Sequence, residues 1–276
     1  MGNLLAIPLS VVLAKISLNL PILLAGSLFI AYGFFLALFM PENEFTPAGS
    51  ESRQSWYTVK ETLIKGFKLM RSQNVLMIFI AIAFFVGLYS EGFDRLGEAH
   101  LLANFTFPFP KMMDTVTWFG ILRLGTILLT LGISEVVKRK ITANPNLIYT
   151  QLLQIIYGVI ITCLIIFART NQFFIAIAAV WVLNSARTLS YPLNTIWLNQ
   201  RIDSQVRATV LSMTSQVDAF GQMVGGPITG AIGTLRSLRA ALKTSGLMLS
   251  PAFFLLGFLG KDRTIKNNNF KDSLSS

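Results

Sequence analysis

Eight blocks of almost uninterrupted apolar sequence constrain this 276-residue chain more than any other feature. They cover residues 3–18, 20–40, 75–95, 116–136, 148–168, 172–194, 208–231 and 240–259. About 20 helical residues cross the hydrocarbon core of a bilayer, where a helix satisfies its own backbone hydrogen bonds. Charged residues make up only 13% of the chain, against about 25% in a soluble domain. The sequence therefore predicts an all-α, polytopic membrane protein with about eight transmembrane helices.

The seventh block, which extends from Ala208 to Gly233 with its flanks, is rich in small residues and contains one proline. Small side chains on one face of a membrane helix allow a neighbouring backbone to approach closely. A proline inside such a helix removes a hydrogen bond and bends the helix, which a membrane bundle tolerates. The candidates for helix packing or kinking are Gly221, Gly225, Gly226, Pro227 and Gly230.

A weak internal repeat relates this block to the start of the chain. Pro8 and Pro227 are 219 positions apart (227 − 8), and the same shift places residues 21–40 on residues 240–259 without a gap. Internal repeats are a known construction of transporters, although two apolar helices joined by a short turn also match by chance. The alignment adds Pro8 to the kink candidates.

Three charged residues lie well inside predicted spans, away from the span ends: Arg123 in the fourth, Arg187 in the sixth and Asp218 in the seventh. Ionisable side chains at membrane depth face protein or water rather than lipid, and they mark solute or proton pathways. We interpret the three as candidates for a transport cavity or for coupling. Asp218 has two compatible interpretations. It is a structural partner of a buried arginine, Arg187 or Arg123, or a proton acceptor, since burial without a partner favours the protonated acid.

The third block ends in a charged segment at positions 90–98. Glu91 and Arg95 have the i,i+4 spacing of an ion pair on a helix. Solvation at the membrane surface explains this segment as well as a role in an outer gate does. The outer-gate candidates are Glu91, Asp94 and Arg95.

A polar segment, residues 41–74, divides the chain into two helices (1–40) and a six-helix bundle (75–260), which a tail (261–276) follows. Within the segment, apolar and basic residues alternate at helical spacing from Trp56 to Arg71. This pattern predicts an amphipathic helix on the membrane surface. A solvated linker is the alternative.

Basic residues are distributed unevenly between the two sets of connections. One set holds fourteen: Arg53, Lys60, Lys65, Lys68, Arg71, Lys138, Arg139, Lys140, Arg201, Arg207, Lys261, Arg263, Lys266 and Lys271. The other set holds six: Arg95, Lys111, Arg169, Arg236, Arg239 and Lys243. Cytoplasmic connections are enriched in Lys and Arg. The linker and both termini are therefore predicted to be cytoplasmic in a multi-pass protein of the cell (inner) membrane.

The composition argues against several other classes of function. Cys163 and His100 are the only cysteine and histidine, so the sequence contains no zinc constellation of cysteines and histidines and no HExxH motif. The net charge of +10 comes from residues that flank the spans, without the basic, aromatic-rich patch of a nucleic-acid surface. A membrane-embedded enzyme would need a nucleophile, a metal set or paired carboxylates, and Asp218 is the clearest acid at membrane depth. We expect no metal, no cofactor, no nucleic-acid partner and no enzymatic activity.

Several pieces of the sequence resemble the major facilitator superfamily. They are FMPE at 39–42, SEGFDRL at 90–96, YPLNTIWLNQRI at 191–202, RATVLSMTSQ at 207–216 and GQMVGGPITG at 221–230. The resemblance implies that the spans correspond to family helices five to twelve. Residues 1–40 would then be the last two helices of the N-terminal bundle, and Arg123, Arg187 and Asp218 would line the cavity.

This resemblance implies a secondary carrier of a small solute, an exporter that uses protons as coupling ion. It also implies an N-terminally truncated chain, whose partners are the lipid bilayer, the solute and a missing N-terminal fragment. The antiporter signature of the family's fifth helix is reduced here to Ala6-Ile7-Pro8-Leu9-Ser10. The alternative is a truncated remnant or membrane interaction protein without transport activity of its own.

The predicted topology is testable with reporter fusions at Asn104 and at Ser276. An alkaline phosphatase fusion at Asn104 should be active outside the cytoplasm, and a green fluorescent protein fusion at Ser276 should fluoresce inside it. The physical reason is the asymmetry of basic residues between the two sides. Fusions that place both positions in the cytoplasm would contradict this topology.

Overall fold

The computed structural model describes residues 2–40, 64, 74–143, 149–200 and 204–274. In this part of the chain it contains eight long helices and no strand. The helices are α1 (Gly2–Ile16), α2 (Leu20–Phe39), α3 (Asn74–Asn104), α4 (Thr115–Ala143), α5 (Tyr149–Arg169), α6 (Phe173–Asn199), α7 (Ser204–Leu235) and α8 (Leu238–Leu274). The predicted amphipathic helix at 56–71 lies outside the described residues except for Ile64.

Six of these helices are long and apolar enough to cross a membrane: α2, α3, α4, α5, α6 and α8. The other two differ for separate reasons. α1 has 15 residues and extends only about 22 Å at 1.5 Å per residue. α7 has 32 residues, but its Gly, Ser, Thr and Gln residues make it more polar. The predicted fold class is confirmed: the chain is an all-α, multi-pass membrane protein.

The structure divides the chain into two compact units, residues 1–64 with 107–125 and residues 65–106 with 126–276. This division differs from the predicted boundary, because the first part of α4 belongs with α1 and α2. A Cβ atom on Gly120 of α4 would meet the side chain of Val11 on α1. α8 also continues past the predicted end of the bundle at residue 260, since neither glycine nor proline interrupts residues 261–274.

In the first unit, α2 is apolar on all sides and has no buried residue. A helix of this composition is suited to contact with lipid on most of its surface. The start of α4 is fixed by Asp114, whose carboxylate accepts hydrogen bonds from the backbone N–H of Thr117 at 2.9 Å and from the Thr117 hydroxyl.

The hydrogen bonds from Thr117 lower the pKa of the Asp114 carboxyl below its ordinary value. The folded protein therefore holds the ionised acid more strongly than the unfolded chain does. The stabilising contribution is present above the ordinary pKa of an aspartate, and it is lost as the pH falls through the lowered value.

The second unit is a helix bundle in which α3 packs against α7 and α8, while α5 packs against α6 and α8. Its fully inaccessible hydrophobic residues come from α5, α6 and α8: Leu153, Ile160, Leu164, Phe167, Ala168, Ala176, Leu183, Ala241, Leu242, Leu249 and Ala252. These three helices form the apolar core, which leaves α3 and α7 to face each other beside it.

α3 and α7 approach each other through glycines on both helices. A Cβ on Gly221 would collide with the carbonyl of Phe84, and one on Gly225 with the carbonyl of Leu88. From the other side, a Cβ on Gly87 would collide with the carbonyl of Asp218. The backbones of the two helices are thus in direct contact at the level of Asp218.

The other helix-packing candidates have different surroundings. Gly226 faces the side chain of Glu91, 3.1 Å from the Cβ position to Cγ, whereas the Cβ position of Gly230 has open space within 4 Å. α1 continues through Pro8 and α7 through Pro227. Thr229, which follows Pro227, donates to the carbonyl of Gly225 at 2.8 Å.

Two substitutions on α7 test this contact. We expect Gly221→Ala to lower the free energy of unfolding by about 1–3 kcal/mol, because the methyl group has to separate two backbones. Gly230→Ala is the matched control and should be neutral or stabilising by up to about 1 kcal/mol, since alanine favours a helix and the space is open. The measurement is reversible denaturation in mixed micelles. Equal effects of the two substitutions would contradict the contact.

Candidate functional site

A cavity of about 320 Å³ lies in the second unit, between α3, α5, α6 and α7. It contains both apolar and ionisable side chains. Its lining consists of Phe79, Ile82, Ala83, Val86, Tyr89, Ser90, Asp94, Tyr157, Arg187, Ser190, Tyr191, Asn194, Thr195, Leu198, Leu211, Thr214, Ser215, Asp218 and Gln222. Two of the three charged residues predicted to line a cavity, Arg187 and Asp218, are among these side chains.

Arg187 on α6 forms a two-pronged ion pair with Asp94 on α3. Its Nη1 lies 2.6 Å from Oδ1 and its Nη2 lies 2.8 Å from Oδ2. The guanidinium carbon also lies 5.9 Å from the ring centre of Tyr89 and 5.5 Å from that of Phe93. Parallel hydrogen bonds and aromatic faces together hold the planar guanidinium in one orientation.

The structure pairs Arg187 with Asp94, whereas the sequence offered Arg187 or Arg123 as the partner of Asp218. Asp218 instead accepts a hydrogen bond from Gln222, one helical turn along α7, with Nε2 and Oδ2 2.8 Å apart. The charges of Arg187 and Asp218 still attract each other across the cavity. The physical reason is geometric: both oxygens of Asp94 meet the guanidinium fork, and each accepts one N–H from an outer nitrogen.

The position of Asp218 is set by its backbone rather than by a salt bridge. Its carbonyl lies against Gly87 of α3, where no larger residue fits. The side chain is partly buried and points into the cavity beside Thr214 and Gln222. A carboxylate on a helix that is locked against its neighbour in this way has a fixed place in the cavity wall.

Tyr157 and Asn194 connect α5 to α6 across the cavity. The amide nitrogen of Asn194 donates to the Tyr157 hydroxyl at 3.0 Å. The amide oxygen of Asn194 is buried and has no hydrogen-bond partner among the described residues. A buried acceptor without a donor is costly, and a bound molecule or water with a suitable N–H or O–H satisfies it.

The polar and apolar parts of the cavity lie toward opposite ends. On α3, Phe79 and Asp94 are 15 residues apart (94 − 79), which is roughly 22 Å along a helix. Phe79 stacks on Trp197 with ring centres 5.0 Å apart, and it lines the apolar end with Leu198 and Leu211. The site therefore offers an apolar wall at one end and charges at the other.

The remaining predicted site residues lie elsewhere. Glu91 and Arg95 form the expected i,i+4 ion pair, with Nε and Oε1 2.7 Å apart, and neither residue lines the cavity. Of the three gate candidates, only Asp94 turns into it. Arg123 is exposed and belongs to the first unit.

The sequence did not point to the two buried tyrosines among the three that line the cavity. Tyr89 and Tyr157 are 2% and 1% exposed, and they line the cavity from α3 and α5. The sequence gives little indication that these two tyrosines line a cavity, because an isolated tyrosine in an apolar span also suits a membrane interface. The spacing of Ser90 and Asp94 did place both on one helical face, and that pattern is compatible with a polar wall.

His100 has a packing role in this structure. It is fully buried against Phe105 and Phe167, with its Nε2 3.3 Å from the carbonyl of Phe167 and its Nδ1 3.0 Å from the amide nitrogen of Asn104. Within the described ranges, no group of three or more His, Cys, Asp or Glu side chains has a geometry able to hold a metal ion.

A double-mutant cycle tests the ion pair. We expect Arg187→Gln and Asp94→Asn to show a coupling energy of about 1–3 kcal/mol in detergent unfolding, since the residues form one hydrogen-bonded unit. The exposed pair Arg139–Glu135, with Nε and Oε1 3.0 Å apart, is the matched control. Its cycle should give a coupling below about 1 kcal/mol. Additive effects of the cavity substitutions would show that the pair does not form.

In comparisons with known proteins, no family model matches this chain, and no curated protein or solved structure matches it either.

Proposed function

We propose that this protein is a secondary carrier of the major-facilitator type that moves a small solute across a membrane. The observation that carries the proposal is the cavity inside a bundle of apolar helices, which contains Arg187, Asp94 and Asp218. Charges are costly at membrane depth, so their concentration around one cavity favours a solute or ion pathway.

The size and lining of the cavity support a small solute. Its volume of about 320 Å³ lies at the lower end of the range for small-molecule sites, roughly 300–1,000 Å³. The wall combines apolar side chains with a few fixed polar groups, as sites that orient a ligand do. Asn194 lines the same cavity, and its buried amide oxygen has no hydrogen-bond partner among the described residues.

Asp218 is the candidate for proton coupling. Arg187 already binds Asp94 through two hydrogen bonds, which leaves Asp218 as the carboxylate with the weaker partner, Gln222. Such a carboxylate binds a proton more readily than one held by a guanidinium. When a proton that enters is exchanged at Asp218 for a solute that leaves, the proton gradient drives export of the solute against the solute's own gradient.

A catalytic role is less well supported than transport. Acid–base catalysis by two carboxylates needs one of them free to donate and the other free to accept. Here Asp94 is held at both oxygens by Arg187. We therefore propose binding and transport without chemical change of the solute.

The distribution of basic residues supports a location in the inner (plasma) membrane with both termini cytoplasmic. In that orientation α3 and α7 begin on the cytoplasmic side, and α6 ends there. The Arg187–Asp94 pair then lies on the outer side of the cavity, and Phe79, Leu198 and Leu211 on the inner side.

Efflux from proteoliposomes tests the carrier directly. Vesicles are loaded with a uniformly labelled mixture of small metabolites, an acidic outside is imposed, and mass spectrometry records which compounds leave. We expect at least one to leave faster than from protein-free vesicles, and such efflux from the chain alone would overturn its interpretation as a truncated carrier that needs a missing N-terminal fragment. Asp218→Asn should slow it about tenfold or more, since a contact with a charged group is worth roughly 1.5–3 kcal/mol.

Glu135→Gln serves as the control, because Glu135 is an exposed acid of α4 outside the cavity. Its efflux should equal that of the unchanged protein. Folded protein that releases no compound faster than empty vesicles would contradict transport and favour an interaction role in the membrane.

A further inference from the structure

The charges of the cavity wall do not balance. Three acidic and basic side chains line it: when ionised, Asp94 and Asp218 are negative and Arg187 is positive. Their sum is one negative charge (−1 − 1 + 1). A cavity in a low-dielectric bundle favours a ligand that cancels this charge.

Arg187 is poorly suited to bind an anion from the cavity. Its two outer nitrogens already bind the two oxygens of Asp94 at 2.6 and 2.8 Å. Its guanidinium carbon also lies 5.9 Å from the ring centre of Tyr89 and 5.5 Å from that of Phe93. An anionic ligand at the remaining N–H groups would meet a guanidinium whose charge Asp94 already balances.

Asp218 is available to a cation. Its one side-chain hydrogen bond within the described residues comes from the neutral amide of Gln222, and no basic side chain pairs with it there. Two tyrosines, Tyr89 and Tyr157, bring aromatic rings to the cavity wall that holds Asp218. Both rings line the same cavity, and aromatic faces attract ammonium and guanidinium groups.

The apolar end of the cavity favours an apolar body in the rest of the ligand. Phe79, Leu198 and Leu211 line that end, and Asp218 lies about halfway along α3 toward Asp94, at the level of Gly87. A ligand with an apolar body and one positive end group satisfies both at once. We propose, building on the proposed carrier function, that the solute is a small monovalent organic cation whose ammonium group binds at Asp218.

Three probes of similar size and shape separate charge from bulk: benzylamine, benzyl alcohol and benzoate. Binding is measured at pH 7 by equilibrium dialysis with the full chain in nanodiscs of zwitterionic lipid, which do not attract cations by surface charge. We expect benzylammonium to bind about tenfold more tightly than the alcohol, and benzoate to bind most weakly. Equal binding of cation and alcohol, or tightest binding of benzoate, would overturn the proposal.

Two variants assign the preference to the cavity. Asp218→Asn should abolish the tenfold preference for the cation, whereas Glu135→Gln should retain it. If Asp218→Asn does not fold, Asn194→Asp keeps the test decisive. It adds a carboxylate of nearly the same shape, to which the Tyr157 hydroxyl donates, and the preference should rise. An unchanged preference in either variant would overturn the assignment to this cavity.

This result is independent of the efflux experiment. Cation binding without efflux of any solute contradicts transport and leaves the cation site intact. Efflux of neutral or anionic solutes, together with no preference for benzylammonium, contradicts the cation site and leaves transport intact.

Discussion

The direct backbone contact between α3 and α7 determines where the site lies. Gly87, Gly221 and Gly225 remove the side chains that would otherwise separate the two helices. Within a membrane, lipid tails are as apolar as the helix surface, so close packing of small residues holds helices together. The contact fixes Asp218 against α3. The same stretch of α3 borders the cavity and contributes Tyr89, Ser90 and Asp94 to its wall.

The Arg187–Asp94 pair adds a second connection, between α6 and α3. It joins residues 93 positions apart in the sequence and neutralises the guanidinium, so the remaining charge of the cavity is that of Asp218. An ion pair at this depth is also a reversible connection, because either partner separates when a better one becomes available. A carrier needs such connections, since its helices have to rearrange around the bound solute.

The sequence was sufficient for the helices and insufficient for their partners. Block 20–40 corresponds to α2 at Leu20–Phe39, because lipid-compatible segments carry a strong local signal. The predicted span 75–95 is shorter than the observed helix, because α3 continues to Asn104. Glu91 and Arg95 pair along the helix instead of ending it. The partner of Arg187 was not predictable, because a choice between Asp94 and Asp218 depends on how α3, α6 and α7 are placed in three dimensions.

In this structure an apolar helix bundle encloses a polar cavity that water is expected to reach. Cysteine accessibility tests this access of water most directly. In a Cys163→Ala background, Ser190→Cys and Ser215→Cys place thiols on the cavity wall, while Leu247→Cys places one on the exposed apolar surface of α8, where Leu247 is 63% accessible. We predict that a charged, membrane-impermeant thiol reagent, supplied to both faces of the membrane, labels the two cavity cysteines and leaves Leu247→Cys unlabelled. Labelling of Leu247→Cys at the rate of the cavity positions, or no labelling of either cavity cysteine, would contradict the account.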